Sequence, residues 1–142
     1  MSTVNVMSPT TLRFATTPLQ NAADLAGRVL LAALFLISGV GKIGAYEATA
    51  GYMASTGVPS FTLPVVIALE ILGALAIIAG FHTRIVALGL AVFTLATAVL
   101  FHSNFGDQMQ MLMFLKNVSI AGGFLCLAAR GAGMYSLDRM RR

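Results

Sequence analysis

Long apolar runs alternate with short polar ones along this chain, and the apolar runs have the length of membrane spans. Four of them, Leu25–Gly44, Leu63–Phe81, Ile85–Phe101 and Met109–Ala129, approach the roughly 20 residues that a helix needs to cross a bilayer. The third contains no charged residue, and the first carries Arg28 and Lys42 toward its ends. Between the first two runs, Ala45–Thr62 reads YEATAGYMAS and then TGVP. This predicts a short interfacial helix with Tyr46 and Tyr52 at headgroup depth, stopped at Gly57–Pro59. His82, Thr83 and Arg84 mark a tight hairpin between the second and third spans, and His102–Gln108 joins the third to the fourth. The expected fold class is all-α: a four-helix transmembrane bundle with one short interfacial helix between helices 1 and 2.

Composition agrees with the pattern. Of 142 residues, 58% are hydrophobic and only 10% charged, and the mean hydropathy is +0.87. That allows one domain and excludes an ordinary soluble one. The net charge of +4 would suggest nucleic acid in a soluble protein. Here Arg13, Arg28, Arg84, Arg130, Arg139, Arg141 and Arg142 fall on one side of the expected bundle, while the loops opposite carry Glu47 and Asp107. The positive-inside rule then puts both termini in the cytoplasm and makes the bilayer, not nucleic acid, the partner. Residues 1–24, polar and rich in Ser and Thr, are expected to be a disordered cytoplasmic tail. The domain runs over 25–130, and 131–142 form a basic cytoplasmic tail. The lone Cys126 excludes an internal disulfide or a CxxC pair.

Against this background Glu70 and Lys116 stand out, because an ionised side chain at the centre of a span costs about 2.5–3.5 kcal/mol even on lenient scales. Each lies seven residues into its span from the outer face, roughly 10 Å deep at 1.5 Å per residue. Equal depth predicts that they pair. Lys42 and His102 end their spans on the same side, and Asn117 flanks Lys116. Small and polar neighbours at helical spacing (Gly73 and Ala74 beside Glu70, Ser119 and Gly123 beside Lys116, Ser38 and Gly39 beside Lys42) mark protein-facing surfaces. The candidate site is therefore Glu70 and His102 as proton-handling groups, with Lys42, Lys116 and Asn117 lining a polar pocket. Three ionised groups leave one excess positive charge. A deprotonated lysine, Asp107 bending inward, or an acidic or polarised-carbonyl ligand such as a quinone would neutralise it. His82 and His102 lie on opposite membrane faces and cannot jointly ligate a haem; no metal-ligand cluster or nucleotide motif is present.

These residues come in a recognisable order: LFLISGVGKI (34–43), TGVP (56–59), the glutamate of ALEILGAL (68–75), GFHTR (80–84), FH (101–102), FLKN (114–117) and GAGMYSLDR (131–139). The ordered set, from about Gly27 to Arg139, resembles the DoxX family of small four-helix bacterial membrane proteins. The resemblance implies a multi-pass inner-membrane protein with a link to redox metabolism, with some relatives associated with thiosulfate:quinone oxidoreduction and distant ones acting as chaperones. Three functions follow as expectations. The first is a quinone-linked, redox-associated subunit of a membrane complex, with a protein partner or a second copy. The alternatives are a non-catalytic scaffold whose basic tail meets anionic lipid or a partner, and a small-molecule transporter. The transporter reading is disfavoured because the spans lack proline-broken half-helices.

Overall fold

The computed structural model describes residues 17–141. Six α-helices run in order: α1 Pro18–Gly44, α2 Tyr46–Ser55, α3 Leu63–Ala79, α4 Thr83–Phe101, α5 Gln108–Arg130 and α6 Leu137–Met140, with a 3-10 turn at Ser60–Thr62. Helices α1, α3 (with the preceding turn), α4 and α5 are long and apolar enough to span a membrane. The all-α, four-span architecture is as the apolar pattern predicts, and α2 occupies the place of the short helix.

Helix α1 begins at Pro18, seven residues before the expected Leu25. The reason is local. Thr17 accepts from the Gln20 N–H while the Gln20 side chain accepts from the Thr17 N–H, a capping box, and Pro18 takes a first-turn position where its missing N–H costs nothing. The expected disordered tail is thus helical from Pro18; its residues 1–16 lie outside the described residues.

The spans form a ring in which α1 packs on α3, α3 on α4, α4 on α5, and α5 returns to α1. Helices α3 and α5 stand diagonally opposed. On α1 the buried stripe is Arg28, Ala32, Phe35 and Gly39, and on α3 it is Leu63, Glu70, Ala74 and Ile77; both keep helical spacing. Gly39 lets the two helices close: a Cβ there would lie 2.7 Å from Ile71 Cγ1 and 3.2 Å from Glu70 Cβ. Phe35 meets Phe124 edge-on at 5.3 Å and Phe93 at 6.4 Å. This aromatic cluster separates two polar regions, called here the Lys42 end and the Arg28 end.

At the Arg28 end the C-terminal segment is not a free tail. Arg28, 1% exposed, donates from one guanidinium nitrogen to the carbonyls of Ile77 and Ile78 at 3.2 Å, and from another to the Tyr135 carbonyl. It therefore caps the α3 C-terminus at the carbonyls of Ile78 and of Ile77, the latter also accepting from the Gly80 N–H, where a cation meets the negative end of the helix dipole. In the same motion it pins residue 135. Asp138 then takes the N-terminus of α4: its Oδ1 accepts from the His82 N–H at 2.7 Å and its Oδ2 from the Thr83 N–H at 2.8 Å. Its own N–H donates to the Gly80 carbonyl at 2.8 Å. Burial alone would raise the Asp138 carboxyl, but the Thr83 and His82 N–H groups stabilise its charge and hold it below the usual carboxylate range. The left-handed Gly80 (φ 68) and His82 (φ 45) make the hairpin that receives it. Arg141 completes the clasp over the Phe81 ring, 5.2 Å from its centroid.

Candidate functional site

A cavity of about 370 Å³ opens at the Lys42 end, between all four spans and α2. Its walls are mainly apolar: Phe35 from α1, Val66 from α3, Phe93 and Leu100 from α4, and Ile120 from α5. Helix α2 forms the roof through Thr49, Tyr52 and Met53. Tyr52 stacks on Phe101 with ring centroids 5.6 Å apart, and Met53 is buried. The volume suits a small organic group, as does an apolar lining with a few convergent polar atoms.

Glu70, Lys42, His102, Lys116 and Asn117 all line this one cavity. The pairing among them differs from the expectation. Glu70 is bound by Lys42, whose Nζ lies 2.9 and 2.8 Å from the two carboxylate oxygens. Ser38 Oγ accepts from the same ammonium at 2.6 Å and donates to Glu70 Oε1 at 3.4 Å. Side-chain exposure is 24% for Lys42 and 7% for Glu70, so the pair is largely out of solvent. The expected Glu70–Lys116 pair does not form because depth is only one coordinate: α3 and α5 are diagonal, whereas α1 lies against α3 across Gly39.

Lys116 reaches the cavity from the α5 wall, and no carboxylate lies within ion-pair distance of it among the described residues. Among the described residues Glu70 is the one acid in the lining, and it is already paired with Lys42. Asp107 does not bend inward. Its side chain caps α5, with Oδ1 accepting from the N–H groups of Met109 at 2.7 Å and Gln110 at 3.2 Å, the use expected of an aspartate at a helix start. Lys116, an exposed residue of α5, is thus left without an acidic neighbour in the cavity among the described residues.

His102 Nδ1 sits 2.8 Å from Gln110 Oε1. Gln110 escaped the sequence reading, since nothing in HSNFGDQMQ shows which polar side chain folds back on the histidine. Tyr52 was legible only as an interfacial tyrosine, and its stacking on Phe101 depends on where α2 lies. Arg28 was read as an edge charge, although its spacing to Phe35 and Lys42 (i+7 and i+14) puts all three on one face and could have marked it as buried.

Comparisons with known proteins fit these observations. The chain is 52% identical over 122 residues to the inner membrane protein YqjF of Escherichia coli (strain K12), covering 86% of this chain and 94% of that one. It is 42% identical over 122 residues to the inner membrane protein YphA of the same organism, covering 81% and 87%. No solved structure matches. The DoxX family model matches residues 23–103, which include α1 with Lys42, the roof helix, and α3 with Glu70. On this match and these identities, the chain belongs to the DoxX family.

Proposed function

We propose that this DoxX-family protein is a quinone-linked, redox-associated subunit of a bacterial inner-membrane complex, and that the cavity at its Lys42 end takes the quinone headgroup. The observation that carries the reading is the charge balance of the cavity: a closed Lys42–Glu70 pair, a further Lys116 without a carboxylate partner among the described residues, and otherwise mainly apolar walls. The donor set fits. Lys116 and Asn117 supply N–H donors for a carbonyl oxygen, and the aromatic and aliphatic walls suit a ring. A bound quinone or quinol would carry the electrons in this reading; the chain has a single cysteine, and its two histidines line different cavities. In this reading Glu70 accepts a proton when Lys42 moves away from it, and His102, in the lining of the same cavity, relays the proton outward. The inner-membrane location rests on the names of the two relatives. In this reading the Arg28 end faces the cytoplasm, supported by the arginines gathered there (Arg28, Arg84, Arg130 and Arg139).

The test is mass spectrometry of the gently solubilised protein. Wild type should retain quinone together with any partner subunit, and Glu70→Gln should lose quinone or slow its turnover. Equal retention and turnover in the variant would remove the proposed role. One observation favours a second reading, a non-catalytic scaffold: the Lys42–Glu70 pair is satisfied within the protein and needs no ligand to neutralise it.

A further inference from the structure

A second cavity, of about 460 Å³, lies at the other end of the molecule between the start of α4, the end of α5 and the docked C-terminal segment. Arg84 enters it from α4, Arg130 from α5 and Arg139 from α6. Its other titratable groups are His82 and Asp138, and Asp138 is already engaged by the N–H groups of His82 and Thr83. Arg130 has Asp24 at 3.9 Å, a long contact on an exposed side chain. The guanidinium groups of Arg84 and Arg139 make no ion pair and no side-chain hydrogen bond among the described residues. Three cations from three elements thus face one concavity whose lining, among the described residues, includes a single, already engaged carboxylate. Gly131 shapes it: at φ 86 it has no side chain, and a Cβ there would stand 3.3 Å from Arg84 Nε.

Position selects the ligand. Arg84 is the second residue of α4 and Arg130 the last of α5, so the cavity sits where two spans end. Ile85, Leu88 and Val92 follow from this cavity along one exposed stripe of α4. An acidic headgroup at the arginines would leave its acyl chains against that stripe. We infer that this cavity is a binding site for the phosphodiester of an anionic phospholipid, held by Arg84, Arg130 and Arg139. The inference is independent of what the Lys42 cavity binds.

The experiment is lipid titration of the detergent-purified full chain, read by native mass spectrometry, with phosphatidylglycerol, phosphatidylcholine or inorganic phosphate as the probe. Phosphatidylglycerol should bind at least tenfold more tightly than phosphatidylcholine. Arg84→Gln with Arg139→Gln should weaken it about 25-fold, at about fivefold for each basic residue near a lipid surface. Arg141→Gln removes a charge from the same end but outside the cavity, and should change binding less than twofold. If the double variant does not fold, Arg139→Gln alone, on the exposed α6, should show the fivefold loss. Equal binding of the two lipids, or a folded double variant that binds phosphatidylglycerol as wild type does, overturns the site. Inorganic phosphate binding as tightly as phosphatidylglycerol overturns the lipid as its source.

Discussion

Glu70 is 5% exposed, so what happens to its carboxylate when Lys42 is removed measures the pair. Lys42→Met should destabilise the protein by about 3 kcal/mol, the usual cost of stranding a buried charge. The double change Lys42→Met with Glu70→Leu should recover most of that loss, because it removes both charges together. Lys116→Gln should leave unfolding within about 0.5 kcal/mol of wild type, as expected of a side chain without an ion-pair partner. Thermal unfolding in one detergent distinguishes these three; a large loss in Lys116→Gln would point back to a Glu70–Lys116 pair. The residues of the candidate cavity were legible in the sequence because charge in an apolar span is conspicuous and depth follows from counting. Their pairing was not legible. Counting fixes height along a helix but says nothing of which helices are neighbours.

Element lengths were readable to within a few residues for α3, α4 and α5, because apolar runs bounded by Gly, Asp or His leave little choice. The start of α1 was misjudged because the capping box at Thr17–Gln20 lies in a stretch whose Ser, Thr and Pro content resembles a loop. The contact between α1 and α3 depends on Gly39, whose missing side chain admits Ile71 and Glu70. Gly39→Leu should force the helices apart and cost about 1–3 kcal/mol as an overpacked contact, while lengthening the Lys42–Glu70 pair. Unfolding measurements on Gly39→Leu beside Gly41→Leu, which meets nothing within 4 Å, isolate the effect; equal losses in both would deny the close approach. Helix α2 was expected at the interface, but its role as a roof comes from Tyr52 on Phe101 and from the burial of Met53, neither of which its sequence announces. Tyr52→Ala should leave the spans intact and speed ligand release from the cavity, as read by the dissociation rate of bound quinone.

At the scale of the whole molecule, the C-terminal segment returns to the Arg28 end, where Arg28 and Asp138 bind it to the α3–α4 hairpin. GFHTR and GAGMYSLDR were each visible as fragments, but a clasp in which the Arg28 and Asp138 side chains bind distant backbone groups leaves no trace in either. Because the folded-state pKa of Asp138 lies below its unfolded value, its contribution is full above the unfolded carboxyl pKa of about 3.9 and is lost as pH falls through the lower folded value. Amide exchange in residues 131–140 should therefore quicken below about pH 3.9, once corrected for intrinsic rates. In Asp138→Asn it should be fast at neutral pH already, and protection unchanged in that variant would place the clasp elsewhere.

A charge swap separates a Lys42 cavity that binds a ligand from one that merely joins helices. Lys42→Glu with Glu70→Lys keeps an ion pair between α1 and α3 while moving the carboxylate from the position placed to accept a proton. Quinone affinity of the purified swap and of wild type is the measurement, with thermal unfolding as the control for folding. The swap should unfold within a few degrees of wild type yet bind quinone at least tenfold more weakly. A folded swap with wild-type affinity, or a wild type with no affinity for quinone, would contradict a quinone-binding Lys42 cavity.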